Sequence, residues 1–252
     1  DFVGFKQYDR LFKTRKWDVA VDNIFIYGFV FTIGCLIIGF LLAVFIDQKV
    51  RGESIFRTIY LYPYAMSFVV TGLVWKWVLN PTFGIENSMH QWGFLWFEMD
   101  WLVNRDLAIY AVCIAAVWQG AGFVMVLMLA GLRGIDEDIW KSLSIEGIPA
   151  WRSYLFVILP MLRPMVVTAV VLIAAGVVKV YDLILALTSG GPGYATHTPA
   201  MYVMEHFFGR ANVGQAFAAS IIMFVAVVCI LAPWAYYEMY RNKKEKESSN
   251  VI

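Results

Sequence analysis

The chain has 252 residues, of which 60% are hydrophobic and 15% charged, with a formal net charge of +1. Ordinary soluble domains carry about 45–50% apolar and about 25% charged residues, so this composition excludes an ordinary soluble domain. A near-neutral balance gives no electrostatic footprint for a nucleic-acid partner. Cys35, Cys113 and Cys229 all fall in apolar blocks; they read as small packing residues, not as a disulfide or metal framework.

Asp1 is not an initiator methionine and no signal peptide is visible, so the chain is expected to begin inside a longer protein. In residues 1–20, Phe5, Tyr8, Leu11 and Phe12 recur at helical spacing among basic residues, which predicts an external amphipathic segment on the membrane interface. Segments 24–46, 58–75, 107–132 and 213–237 hold no charged residue, and 165–188 holds only Lys179 and Asp182. Each is long enough to cross a bilayer, which takes about 20 residues. The period-two alternation of a β-barrel is absent. The reading is an all-α membrane protein with five transmembrane helices in this chain, a transmembrane domain over 21–240 and a frayed cytoplasmic tail over 241–252.

Loop charge sets the orientation. Segments 47–57, 133–163 and 241–252 together hold eleven basic residues, among them Lys49, Arg57, Arg133, Lys141, Arg152 and Arg163, whereas 81–105 and 189–212 hold only Arg105 and Arg210. The positive-inside rule puts the first group in the cytoplasm. The basic N-terminal segment then disagrees, which an interfacial position or a missing earlier span would explain.

The stretch 131–164 is a polar island between two spans. A helix starting near Asp136 gains from acidic residues in its first turn and carries Ile135, Ile139, Trp140 and Leu143 on one face. It must stop and restart at Gly147-Ile148-Pro149, after which Trp151, Tyr154, Leu155 and Ile158 follow helical spacing. Two short helices with a Gly-x-Pro bend make a compact knob. One reading is a surface gripped by a cytosolic partner; the other is a helix lying on lipid headgroups.

The island resembles the cytoplasmic loop of binding-protein-dependent ABC importer permeases, whose pattern is Glu-Ala-Ala, two residues, Asp-Gly-Ala, then an aromatic and Leu-Pro. The matching run is Lys141-Ser142-Leu143, Glu146-Gly147-Ile148, Tyr154 and Leu159-Pro160; the first triplet departs completely. Tyr181-Asp182-Leu183 followed by Leu187-Thr188-Ser189-Gly190-Gly191-Pro192-Gly193 is similar to the Phe-Asp and Leu-Thr-x-Gly-Gly-Pro run of the carbohydrate branch, the maltose/alpha-glucoside-type permeases. Trp118-Gln119-x-x-Gly122-Phe123, Asn80-Pro81-x-Phe83-Gly84-x-x-Asn87 and Gly4-Phe5-Lys6-Gln7-Tyr8 match as well.

The resemblance implies an ABC importer type I permease fold with a further N-terminal helix absent. It also implies a coupling role for Lys141, Ser142, Leu143, Glu146, Gly147, Trp151 and Tyr154 against an ATPase subunit. The implied partners are a second homologous permease, two ATP-binding subunits, an extracellular or periplasmic sugar-binding protein, the carbohydrate substrate and membrane lipid. The implied location is a bacterial cytoplasmic membrane, multi-pass. No cofactor is expected in this chain: ATP and Mg would sit on the partner ATPases, and no Gly-x-x-x-x-Gly-Lys occurs.

Candidate pathway residues follow from chemistry. Lys179 and Asp182, three apart in an apolar span, share a helical face. With Tyr181 they either border a polar path or reach the outer interface. Trp118, Gln119 and Phe123 offer aromatic faces and an amide to a sugar, or serve helix packing. Gly190, Gly191 and Pro192 read as an external turn with unusual dihedrals. His90, His197 and His206 are expected at the surface, without metal-site spacing. No catalytic constellation is present, so a non-catalytic subunit is expected. A self-sufficient secondary transporter or channel remains the alternative, and within the same branch a permease for a phosphorylated polyol.

Overall fold

The structure is a computed structural model that describes residues 4–48 and 51–249. Lys49 and the extreme ends of the N-terminal segment and tail therefore lie outside the described residues. Every element is helical among the described residues. The N-terminal segment folds as α1 (Lys6–Phe12), and the first long helix α2 (Arg15–Asp47) starts before the 20/21 boundary drawn from composition. Leu11 of α1 is buried with Trp17, Tyr202 and Ala219, and Tyr8 packs beside it, while Phe5 and Phe12 point outward. Half of the amphipathic stripe is thus spent on the protein itself.

The expected second span is broken. It consists of α3 (Glu53–Ala65) and α4 (Phe68–Val78), bent by 100°. Pro63 near the end of α3 removes a donor, Met66 is extended at ψ 151°, and the Ser67 hydroxyl restarts the helix by accepting from Val70 N–H at 3.2 Å. After α5 (Ile85–Gln91), the long α6 (Ala108–Arg133) runs parallel to α2, because Gly34 and Gly39 of α2 meet Val117 and Val124 of α6 in the same order. These glycines let the two backbones approach, as small residues do in membrane helix pairs.

The knob is built from α7 (Glu137–Ile145), α8 (Ala150–Arg152), a π-helical turn (Ser153–Ile158) and α9 (Leu159–Met161). The chain bends by 70° into α10 (Arg163–Val177). The expected fourth span is also broken: α10 ends at Val177, and a short α11 (Asp182–Leu187) restarts after four residues. Helix α11 lies against α4, where a Cβ on Gly72 would come within 2.6 Å of Ala186 Cβ. Beyond the Gly-Gly-Pro turn come α12 (Pro199–Met204), a second π-helical turn (Glu205–Gly209) and α13 (Val213–Ser249). The tail expected to fray continues α13 as helix through Ser249.

Among the described residues, α2, α6 and 213–236 are long and apolar enough to cross a membrane, and the two bent pairs raise the number of spans to as many as five. Arg133 reaches Glu53 at 2.7 Å and Arg57 pairs with the same carboxylate, so the loops carrying most of the basic residues gather at one end of the bundle. Cys35 and Cys113 are buried, whereas Cys229 is exposed on the apolar outside of α13.

Gly122 of α6 faces the Tyr60 carbonyl of α3 so closely that a Cβ has no space. Gly122→Ala should destabilise the folded chain by about 1–3 kcal/mol, the usual range for overpacking. Gly176→Ala, whose Cβ meets nothing within 4 Å, should be neutral or stabilising by about 0.4–1 kcal/mol. Thermal unfolding of the two purified variants checks the contrast.

Candidate functional site

The two helix breaks meet at one cavity of about 420 Å³, walled by α2, α3, α4, α6, α10 and α11. Its lining includes Tyr64, Phe68, Phe123, Lys179, Tyr181 and Asp182. Tyr64 and Phe123 stack with centroids 5.1 Å apart, giving a layered aromatic pair in the cavity wall. Such a wall suits the apolar face of a ring, with polar groups placed to fix orientation.

Lys179 and Asp182 do not share a helical face. Lys179 follows the C-terminus of α10 and Asp182 opens α11, so the helix break separates them. Each sign suits its helix end: a cation near a C-terminus and an anion in a first turn. Neither forms an ion pair among the described residues, and both face the cavity.

Phe123, Lys179, Tyr181 and Asp182 thus come together, while Trp118 and Gln119 do not join them. Five residues apart on one helix, Trp118 and Phe123 point about 140° apart. Trp118 instead meets Trp75 edge-on at 5.9 Å, beside a separate groove. Gln119 is buried, and its Nε2 donates to the Met66 carbonyl at 2.7 Å. It closes the broken span by satisfying a carbonyl that the interrupted helix leaves open. The second break is closed in the same way: the Thr198 hydroxyl donates to the Val180 carbonyl at 3.1 Å. Tyr64 and Phe68 escaped the sequence reading because they sat inside a span taken as continuous; Pro63 was the available signal.

At the far end, the knob follows from local rules. Asp136 caps α7 by accepting from Asp138 N–H at 3.0 Å. The helix closes with a Schellman turn: Ile148 N–H donates to Leu143 O at 3.3 Å, Gly147 N–H donates to Ser144 O at 3.2 Å, and Gly147 takes φ +67°. Lys141, Ser142, Glu146, Gly147 and Trp151 face outward.

Leu143 and Tyr154, also expected at the docking surface, turn inward instead. Leu143 is buried, and Tyr154 packs on Trp140 with centroids 5.4 Å apart. Burial, and then the charge of Asp47 at the end of α2, push the Tyr154 hydroxyl above its ordinary pKa. The π-helical turn changes the register after Arg152, so the expected stripe splits. Trp151 and Leu155 point out, and Ile158 is buried. Ile145 (86% exposed) and Phe156 (70%) add apolar surface that the sequence reading missed.

The Gly-Gly-Pro turn has Ser189, Gly190 and Gly193 at positive φ and a cis Gly191-Pro192 peptide. Thr196 Oγ1 donates to Gly191 O at 3.0 Å and lies 2.7 Å from Thr188 Oγ1, which knits the turn together. Beside it the histidine expectation fails. His197 and His206 are only 5% and 4% exposed. His206 stacks on Tyr202 with centroids 3.9 Å apart. His197 Nε2 lies 3.2 Å from Glu205, which also pairs with Lys16 and, at 2.8 Å, with Arg210. Lys16 in turn sits 5.7 Å from the Tyr194 ring centroid. The backbone carbonyl of His197 accepts from buried Asn23 Nδ2 at 2.9 Å. This hub ties the base of α2 to the segment after the turn.

Residues 23–242 match the family described as binding-protein-dependent transport system inner membrane component. The chain belongs to that family. The permease is 32% identical to a probable ABC transporter permease protein of Pyrococcus horikoshii, over 94% of this chain and 81% of that one. It is 30% identical to a xylose/arabinose import permease protein of Haloferax volcanii, over 94% and 74%. Its fold is shared, at a TM-score of 0.81 and 22% identity over 91% of this chain and 81% of that one, with a bacterial alginate ABC transporter solved in complex with an alginate pentasaccharide-bound periplasmic protein. The multi-pass helical architecture is thus that of an ABC importer type I permease.

The hub has a defined pH response. Burial first, and then the Lys16 charge, lower the His197 pKa from 6.5 to about 4, against an opposing pull from Glu205. Burial pushes the Glu205 carboxyl up, but the Lys16 hydrogen bond and the charges of Lys16, Arg210 and His197 carry it below its ordinary value. Between pH 6.5 and about 4 the unfolded segment binds more protons than the folded one, so stability falls as pH falls through that window. The protection factors of the amides in 194–206, that is exchange corrected for its intrinsic pH dependence, should therefore fall on acidification from pH 7 to 4.5, and His197→Phe should remove most of that fall above pH 5.

Proposed function

We propose that this permease forms half of the translocation pathway of an ATP-driven carbohydrate uptake system and takes its driving force through the knob. One observation carries the reading. Leu143 and Ile158 of the knob belong to the same continuous apolar core as Ala169 and Val177 of α10 and Leu183 of α11 beside the cavity. Close-packed interiors transmit displacement rather than absorb it. A partner that moves the knob therefore moves the walls of the aromatic cavity, with no chemistry needed in this chain.

In this reading, two ATP-binding subunits hold ATP and Mg and grip the outward face of the knob: Lys141, Ser142, Glu146, Gly147 and Trp151. A second homologous permease completes the path across the cytoplasmic membrane. An external receptor delivers the sugar on the side of the Gly-Gly-Pro turn. The receptor shifts the pathway between its two openings only through unequal affinity for them. The outer face of the Tyr64–Phe123 pair stacks on the sugar ring, and Lys179, Tyr181 and Asp182 exchange hydrogen bonds with its hydroxyls. A phosphorylated polyol is the second reading, favoured by one feature: Lys179 enters the cavity without an ion-pair partner among the described residues.

The test is ATP hydrolysis and uptake by the intact assembly, reconstituted with its receptor and a panel of sugars. Sugar and receptor together should stimulate hydrolysis. Gly147→Pro removes both the donor and the positive φ of the Schellman turn, and Glu146→Lys inverts the exposed charge. Either should reduce receptor-stimulated uptake at least tenfold while leaving membrane insertion intact. Wild-type uptake in both variants, or transport by the isolated chain on an ion gradient, overturns the proposal.

A further inference from the structure

A second cavity, of about 750 Å³, opens at the end of the bundle away from the knob. Its walls are the first turns of α2, the start of α6 and the turn after Pro192. Arg15, Asp22, Arg105 and Asp106 all line it, and none of the four side chains forms an ion pair among the described residues. Tyr110 and Tyr194 lie on the same walls and are partly exposed. Neither the pathway nor the knob uses these residues.

Two guanidinium groups and two carboxylates balance to zero, so the groove carries no net charge that would select an ion of either sign. Such groups offer bidentate donors and acceptors, which match the adjacent hydroxyls of an uncharged polyol. The tyrosines add ring faces for its apolar side. The volume lies within the 300–1,000 Å³ typical of small-molecule sites.

Position adds the second argument. The groove takes Arg15, Asp22 and Ile26 from α2, and the central cavity takes the next residues along, Tyr27 and Phe31. Nine residues separate Asp22 from Phe31, a rise of about 14 Å on a helix. The two sites therefore stack along one helix.

The geometry points to a carbohydrate subsite at the mouth of the pathway, which holds the trailing rings of an uncharged oligosaccharide while its leading ring occupies the central cavity. This rests on the carbohydrate reading of that cavity. Tyr194 stacks, Arg105 and Asp106 hold hydroxyls from α6, and Arg15 and Asp22 hold them from α2. A monosaccharide is too short to use both sites, so the groove confers a preference for longer cargo.

The experiment uses the full assembly in lipid nanodiscs with its receptor, and compares uptake of maltose, maltotriose and maltopentaose with that of glucose and xylose. Tyr194→Ala and Arg105→Gln should each slow uptake of the tri- and pentasaccharide about 5- to 10-fold and change uptake of the mono- and disaccharides less than twofold. Receptor binding, followed by cosedimentation, and receptor-stimulated ATP hydrolysis should stay within twofold. Tyr194→Phe, which keeps the ring, should behave as wild type. If receptor binding falls in step with uptake at every sugar length, the groove is a receptor contact and the proposal is overturned. If uptake is independent of both variants, it is overturned as well. If no sugar is taken up by the wild-type assembly, the reading of the central cavity fails first. Should Tyr194→Ala not assemble, Arg105→Gln alone gives the same length-dependent readout.

Discussion

The need to pair every backbone carbonyl inside a lipid-facing bundle governs this structure. Two spans stop midway, and each break leaves a carbonyl that the helix no longer satisfies. Gln119 closes one through Met66, and Thr198 closes the other through Val180. With these bonds in place, α4 and α11 can leave the long axis and pack on each other at Gly72 and Ala186. The cavity exists because they do so: Tyr64 and Phe68 flank the first break, and Lys179, Tyr181 and Asp182 flank the second. Lys179 and Asp182, costly in mid-helix, instead sit at helix ends of the matching sign and face the cavity.

The knob solves a different problem with the same economy. It must leave the bundle, present a surface and return without losing stiffness. An Asp cap at one end and a Schellman turn at the other terminate α7 within a few residues. Its inward residues, Leu143 and Ile158, continue the main core, and Trp140 and Tyr154 pack against it. Its outward residues include large apolar side chains, Ile145 and Phe156, whose exposure fits a surface covered by another protein better than one left in water.

Much of this was legible in the sequence, for identifiable reasons. Uninterrupted apolar runs locate the long helices because bilayer thickness sets their length. The knob was legible because Asp136, Gly147 and Pro149 are local punctuation whose effect does not depend on distant residues. The breaks were not, because an apolar run looks the same whether its helix continues or turns back; Pro63 weakens one without dictating a 100° bend. Gln119 stayed open between a sugar contact and helix packing for a related reason. A buried amide must have a partner, but the sequence does not say whether that partner is a ligand or a carbonyl 53 positions away. His197 and His206 were misjudged because loop residues were equated with exposure, whereas this loop folds back onto α2 through Asn23 and Lys16.

The distribution of packing also fixes where such a molecule can bend. Helix α2 passes from the hub at Lys16 and Asn23, past both cavities, to Asp47 beside Tyr154. Over that length it is wedged against α6, with Gly34 and Gly39 seated on Val117 and Val124. Sliding one helix past the other would drive backbone into side chain at both glycines at once, a cost of several kcal/mol by ordinary overpacking. The side-chain hydrogen bonds at the breaks, through Gln119 and Ser67 at the first and Thr198 at the second, have a net value nearer 1 kcal/mol apiece. A displacement delivered at the knob therefore leaves α2 and α6 as a rigid pair and concentrates at 66–67 and 178–181. Those are the two places where the cavity wall is made of chain ends rather than continuous helix.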